Sequence, residues 1–511
     1  MNRTRRDFLK FVLAGSVAAG CPFDLSLLAS PEEAGPRVDG EHYDICHNVR
    51  DGHQFSRPPV SRRYDVVIVG GGISGLSAAY FLDKYNFLLL EKEAHFGGNA
   101  FLEEYDGQAY ATGAAFDFKG SESAQLASEL GLKLLPINSP DPTILKGKWV
   151  PDTWRVGLDE LPYPRNVRES FKRFKKDVLA LNATAHPEKY DAEPLSKYLA
   201  GYAPEIKLWW DAYGPSDWGA KSDETSFYVA MIDFADMTEE PLNDTRVTLP
   251  GGNGAISQRL VAKLEPQHRE QMLGGATVVA VEQQKQEVVV TYVHAGRMHA
   301  VAAKTVIMAT PKFITSLLVA GLPPVQRDAM NAIRYIPYPV VNLIFDKPLY
   351  DRAYDTWCPG NAFTDFVPAD WVIRKRPGYH PKNEILTFYT PLDSTERHRL
   401  LTIDGCKSIA LDVLRDFKKL LPEFHDAEPV EVHLYRRGHP MFMSSPGVYT
   451  KIIPAASHPL ERIFFANTDS LGPESLSESA VQMARKGAEW TEKTLNGKPV
   501  GSLANPLGFR V

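Results

Sequence analysis

The chain has 511 residues, 44% of them hydrophobic, with 57 basic and 63 acidic side chains and a formal net charge of −6. That length and apolar content support a large globular core, and the mild acidity excludes the basic footprint that nucleic-acid binding demands. The four cysteines (Cys21, Cys46, Cys358 and Cys406) share no metal-ligand spacing, so neither a metal centre nor a disulfide framework is expected.

Residues 1–29 open with Thr4-Arg5-Arg6-Asp7-Phe8-Leu9-Lys10, which resembles a twin-arginine export signal, and continue into an apolar stretch from Phe11 to Gly20. That stretch is too short for a bilayer span, which takes roughly 20 apolar residues. The resemblance implies passage through the twin-arginine translocase and a periplasmic or exported protein. Ala18-Ala19-Gly20-Cys21 loosely resembles a lipobox, which leaves lipid anchoring at Cys21 and simple cleavage nearby both open.

Residues 30–61, rich in Pro, Gly and charge, read as an N-terminal arm. Within it, Cys46-His47-Asn48-Val49-Arg50-Asp51-Gly52-His53 could offer His47 or His53 to a haem, although the Cys-x-x-Cys-His run of c-type attachment is absent. The plain alternative is an arm docked on the domain that follows it through ordinary polar contacts.

Val66 to Val69 form an apolar run expected of a strand buried on both faces. Gly70, Gly72 and Gly75 then fit G-x-G-x-x-G: a tight turn, close backbone approach to a pyrophosphate, and close helix packing. A helix from Ile73 and Ser74 to Asp83 would aim its first amides at that pyrophosphate. A second strand, Phe87 to Leu90, ends in Glu91, placed to accept ribose hydroxyls, with Lys92 beside it. A further glycine pair, Gly97-Gly98, precedes Asn99. It resembles the loop by which flavoproteins wrap the FAD pyrophosphate from the other side, so FAD is preferred to NAD.

Three later segments continue the pattern. Leu249-Pro250-Gly251-Gly252-Asn253-Gly254 leads into a helix expected from Ser257 to Leu264. Strands are expected at Thr277 to Val281, Val288 to Tyr292 and Thr305 to Thr310, the last ending at Pro311. Arg462 to Ser470 reads as a buried strand running into a polar turn, followed by a helix from Ser477 to Leu495.

Together these segments resemble the flavin-containing amine oxidase superfamily, patchwise over residues 62–495, and the leader with its arm points to an exported, spermidine-dehydrogenase-like branch. The resemblance implies that Gly70, Gly72, Ile73, Ser74, Gly75, Glu91 and Lys92 hold the adenosine diphosphate of a non-covalent FAD, with Gly97, Gly98 and Asn99 as the second phosphate loop. It implies that Thr112, Gly113, Ala114 and Ala115 pass beside the isoalloxazine, and that Val278 offers backbone bonds to the adenine. Asp469 falls where the family has Glu, near the pyrophosphate and ribityl chain. Ser477 and Glu478 open a helix whose amides could stabilise negative charge on the reduced flavin.

Two amine-specific features of the family are missing. Its flavin-side lysine aligns with Val341, and its paired tyrosines align with Met443 and Leu476. In the region left for substrate, His439 is the group with an ordinary pKa near neutrality, a candidate proton carrier or simply a packed loop histidine. Trp209, Trp210, Tyr213, Trp218 and Tyr228 cluster in sequence with Asp211, Asp217, Asp223, Glu224, Asp233 and Asp236. They could line a cation site or form a helical cap with a solvated acidic face.

The expected fold is therefore α/β, with a Rossmann-like FAD-binding domain (62–140, 245–320 and 455–500) built on a mainly parallel sheet. Interleaved with it is a substrate domain of mixed sheet plus helical cap (141–244 and 321–454), and residues 501–511 form a tail. The expected activity is hydride transfer from a small-molecule C–H bond to flavin, with an amine or polyamine as substrate and a periplasmic electron acceptor as partner. A phytoene-desaturase-like oxidation of an apolar substrate and a non-catalytic electron relay are the alternatives.

Overall fold

The computed structural model describes residues 35–239 and 244–501. The twin-arginine segment, Cys21 and most of the C-terminal tail lie outside the described residues. From Arg37 onward the chain packs as one compact unit, and among its described residues two eight-stranded sheets carry the fold.

The first sheet grows from the apolar run identified above. Arg62–Val69 lies between Phe87–Leu90 and the last half of Arg297–Met308, all parallel. Met272–Leu273 extends one edge in parallel, and Ile463–Phe465 pairs parallel with the end of Arg297–Met308. Ala276–Gln283 and Val288–His294 form an antiparallel meander with the first half of the Arg297–Met308 strand, and Val319–Ala320 pairs parallel with Ala276–Gln283 at the far edge. That strand is longer than the sequence pattern indicated, because Arg297–Ala303 pairs with the meander and Thr305–Met308 with its parallel neighbours. Val66, Val67 and Ile68 are fully buried, as a strand covered on both faces must be.

Helices Ile73–Phe81, Gly254–His268 and Ser477–Leu495 cover one face of this sheet. The first ends at Phe81, short of the expected Asp83. The last matches the expected bounds, because its apolar face is continuous from Ala480 to Trp490.

The second sheet runs in the spatial order Arg37–Gly40, Glu431–Arg436, Val340–Phe345, Glu384–Tyr389, Asp365–Pro368, Thr356–Trp357, Thr143–Leu145, Lys148–Val150, mostly antiparallel. The arm thus supplies its edge strand, pairing Arg37–Gly40 parallel with His433–Arg436. Helix Ile403–Leu420 closes one face, where Val341, Leu343 and Phe345 meet Val413 and Phe417. Helices Arg165–Leu179, Pro204–Asp217 and Phe227–Thr238 form a cap around Trp154, Trp210, Phe171, Phe174 and Phe234. Among the described residues no helix is long and apolar enough to cross a membrane.

Candidate active site

The G-x-G-x-x-G turn is built as its spacing requires. A Cβ on Gly75 would lie 1.8 Å from the Gly70 carbonyl oxygen, so the helix reaches the strand only because none is there. Gly97 N–H donates to the Gly71 carbonyl (2.9 Å), which brings the two glycine loops side by side. A Cβ on Gly72 would meet nothing closer than Gly98 Cα at 3.8 Å, so that position opens on the gap between the loops. Neither Ile73–Phe81 nor Ser477–Leu495 has a side-chain N-cap. Their first amides are therefore free of the protein's own side-chain acceptors, which is what a pyrophosphate and an electron-rich ring edge call for.

Glu91 is buried and accepts the Gly71 (2.5 Å) and Glu93 (2.9 Å) amides. Burial pushes its pKa up against those two bonds. Each oxygen keeps a lone pair for a ribose hydroxyl. The Ala276 amide donates to the Glu91 carbonyl (2.7 Å), and this brings Val278 to the same corner. A bulge between Val278 and Ala280 loosens the ladder there. This corner, the glycine gap and the two uncapped helices fit an adenine dinucleotide.

Other expected contacts resolve into supports. Asn99 donates to the Pro440 carbonyl (2.8 Å) and accepts from the buried Arg437 (3.0 Å). The same guanidinium donates to the carbonyls of Gly98 (3.1 Å) and Thr112 (3.1 Å). Arg437 therefore ties the second phosphate loop to the segment 112–115, which follows strand Gln108–Ala111, a role that its place in Arg436-Arg437 did not disclose. Ala114 donates to the Asn99 carbonyl (3.1 Å), and the Ala115 carbonyl accepts from Thr248 and Tyr354. The Ser74 hydroxyl turns to the Ala466 carbonyl, and Lys92 to Glu93 and the His42 carbonyl. Ser477 accepts from Asn253 (3.0 Å). Glu478 lies near Asp117 and Glu122, and its pKa is raised by burial and by those charges.

Two site residues depart from expectation. The Asp469 side chain is turned into the protein: it is fully buried, paired with Lys312 Nζ (2.9 Å) and the Lys312 amide (2.8 Å), and bonded by the Tyr335 hydroxyl. A lysine directly after the Ala309-Thr310-Pro311 strand end was the available signal. His439 is no near-neutral proton carrier. Burial and Arg397 push its pKa down to about 4, and its ring lies 4.6 Å from that of Phe313, on the arm side, near Glu41, His47 and Arg50.

The position of Val341 also reads differently in three dimensions. Its side chain is in the core against helix Ile403–Leu420, whereas Asn342, on the opposite face, donates to the Ala111 carbonyl (3.1 Å). A strand alternates faces residue by residue, so an alignment one position off selects the wrong side. Met443 packs with Ala220 and Ile336. Two tyrosines from segments that no local motif joins lie beside residues 112–115. Tyr389, ending its strand, donates to the Gly113 carbonyl (2.8 Å), and Tyr338 lies edge-on to it at 6.0 Å. Ser216 bonds both the Tyr338 hydroxyl (2.6 Å) and Asp365 (2.8 Å).

Around these tyrosines stand Tyr213, Asp217, Asp233, Asp355 and Glu474, which perturb one another electrostatically. Tyr213, Asp217, Tyr338, Tyr389 and Glu474 keep partial exposure although protein surrounds them, as side chains lining an internal chamber do. Burial raises every one of the five carboxyls, counting Asp365: Glu474 to about 8 and Asp365 to about 7. Trp218 Nε1 satisfies Asp233, and Thr364 and Ser216 satisfy Asp365. Asp217 Oδ2, Asp355 Oδ1 and Glu474 Oε1 are buried with no partner. Most of the tryptophan cluster is cap core, but the helix end at Tyr213 and Asp217 faces this chamber.

The model of flavin containing amine oxidoreductases matches residues 73–489. The chain belongs to that family. It is a flavin-dependent oxidoreductase with the amine-oxidase-like fold, and it is similar to Oxidoreductase PigB of a Serratia species, at 24% identity over 83% of this chain and 74% of the relative. It also resembles the chloroplastic protoporphyrinogen oxidase 1 of Spinacia oleracea, at 26% identity over 55% of this chain and 56% of that protein. Among solved structures, cyclohexylamine oxidase from Brevibacterium oxydans superimposes with a TM-score of 0.66, at 18% identity, over 85% of this chain and 99% of that one. Putrescine oxidase does so with a TM-score of 0.65, at 17% identity, over 84% and 98%.

Proposed function

We propose that this family member is an exported oxidoreductase that binds FAD non-covalently and oxidises an amine at the carbon next to nitrogen. The observation that carries the amine is the chamber beside the 112–115 segment: acid-lined, with buried oxygens of Asp217, Asp355 and Glu474 that have no partner among the described residues. Uncompensated buried carboxylates are costly, and a cationic ligand offsets that cost. Three tyrosines, Tyr213, Tyr338 and Tyr389, give the chamber aromatic walls suited to the same cation.

The flavin supplies the two-electron acceptor for the C–H bond. This chain's residues bind the ammonium, exclude water and take its proton, since the free amine is the better hydride donor. Asp217 Oδ2 is placed for that proton: burial and Asp233 raise its pKa well above the ordinary carboxylate range. Export rests on Arg5-Arg6 and the apolar stretch after it, with a periplasmic electron acceptor as the partner.

The decisive measurement is anaerobic bleaching of the bound flavin against a panel of mono-, di- and polyamines and apolar alkenes. Bleaching by amines is the expected result. Bleaching by alkenes alone, on protein loaded with oxidised flavin, would transfer the reading to a desaturase.

A further inference from the structure

The arm segment around Cys46 and His47 has no part in the chemistry above, yet it is held with many specific contacts. Its strand Arg37–Gly40 adds to the second sheet, and Gly40 adopts φ +113 with no room for a side chain: a Cβ would lie 2.2 Å from the Arg436 carbonyl oxygen. The chain then leaves this sheet for the first one. Glu41 donates its amide to Arg436 O (3.0 Å) and accepts the Gly438 amide on its carboxylate (2.9 Å). His42 reaches across to Glu93, through its amide (2.9 Å) and its ring Nδ1 (2.5 Å). Lys92 donates to the His42 carbonyl (3.2 Å). Glu93 in turn donates its amide to Glu91, the carboxylate at the ribose corner.

Helix Asp44–Arg50 follows directly. It packs on the strand that carries Val278 and on helix Lys312–Leu318, with Val49 inserted against the apolar core there. The Cys46 thiol feels the charges of Lys92, Glu41, Glu93 and Glu91, and burial raises its pKa. The arm therefore touches both protein groups that define the adenosine corner, Glu91 through Glu93 and the Val278 strand directly. Beyond it, Asp51 to Gln54 are exposed.

We propose that residues 41–50 form the outer wall of the adenosine half of the dinucleotide site, and that flavin nucleotide leaves only when this segment lifts. The inference rests on the dinucleotide reading and is independent of the amine. A protein folded around its cofactor before export would gain directly, since the arm converts a surface groove into a closed site whose opening limits release.

The test uses the full-length protein loaded with FAD. The rise in free-FAD fluorescence after large dilution of the holoprotein gives the release rate for wild type, His42→Ala and Val49→Asp. Peptide-resolved alkylation of Cys46, distinct from Cys21, reports whether the arm is seated. Release at least tenfold faster in both variants, and Cys46 alkylation at least tenfold slower in holoprotein than after flavin removal, is expected. Release within twofold of wild type, in a variant whose Cys46 alkylates freely, overturns the proposal. Should the variants fail to fold, a protease site inserted between Gly52 and Gln54 allows the arm to be cut in folded holoprotein, with the same two outcomes. Protein that takes up no FAD at all defeats the dinucleotide reading and this inference with it, whereas bound FAD with unchanged release defeats this inference alone.

Discussion

The buried group around Lys312 and the buried chamber around Asp217 meet the same electrostatic problem in opposite ways. Around Lys312, one ammonium faces one carboxylate at 2.9 Å, and Tyr335, Ser470 and a backbone amide complete the set. Around Asp217, five carboxyls gather, burial is the main cause of their raised pKa values, and three of their oxygens lack any partner among the described residues. The first cluster is complete without a ligand and locks the strand end at Ala309 to the turn at Asn467. The second is incomplete: burial raises its pKa values, and its partnerless oxygens leave hydrogen-bonding capacity unused. A buried charge with a full set of partners marks architecture; one without them marks a place where something binds.

That contrast can be broken first at Lys312. Replacing it with Met leaves Asp469 as an uncompensated buried charge and should cost about 3–5 kcal/mol, read from urea denaturation midpoints. The double replacement Lys312→Met with Asp469→Leu should recover most of that loss. An unchanged midpoint in the single variant would show the pair to be dispensable.

The chamber should respond with the opposite sign. Asp217→Asn replaces a buried carboxyl whose Oδ2 has no partner among the described residues, so the amine-free protein should keep its stability or gain up to about 1–2 kcal/mol. Amine affinity should fall about 30-fold or more, the consequence of losing a buried charge partner worth roughly 2–5 kcal/mol. Destabilisation together with retained amine affinity would refute the ligand role.

A smaller and more specific effect lies in pH. Glu474, raised to about 8, favours the protonated form in the fold. Its contribution to stability is therefore complete below the unfolded carboxylate range and lost as pH rises through 8. Melting of the amine-free protein should accordingly drop between pH 6 and 9, and less steeply in Glu474→Gln. Amine binding should strengthen over the same interval in wild type, as the carboxylate ionises, and flatten in the variant. Identical melting slopes would remove Glu474 from the chamber's electrostatics.

The smallest change is expected for Tyr389→Phe. Loss of its bond to the Gly113 carbonyl should cost about 1 kcal/mol and shift the bound flavin's visible spectrum, through the 112–115 segment. A spectrum superimposable on wild type would detach that tyrosine from the flavin side.

The cofactor half was far more legible than the chamber. Strand, glycine turn, helix and acid lie within Val66 to Glu91, so period and turn chemistry act over one local unit. The helix Ser477–Leu495 was readable for the same reason. Tyr213, Tyr338, Tyr389 and Glu474 belong to four separate elements, and nothing local distinguishes them from ordinary core or surface residues. The reading of His439 failed because an ordinary pKa was assigned to a group that the fold buries beside Arg397. Asp469 misled likewise: position in a motif does not say which way a carboxylate turns, and here Lys312 turned it inward.

By itself the sequence determined the dinucleotide frame, the fold class and the family, because those depend on periodicity and glycine spacing over a few dozen residues. The tertiary structure alone decided which face of the Val340–Phe345 strand packs on helix Ile403–Leu420 and which meets the Ala111 carbonyl, which acids lack partners, and where the arm from Glu41 to Arg50 lies. These outcomes are set by pairing between distant segments and by desolvation. Both exist only once the chain has closed on itself.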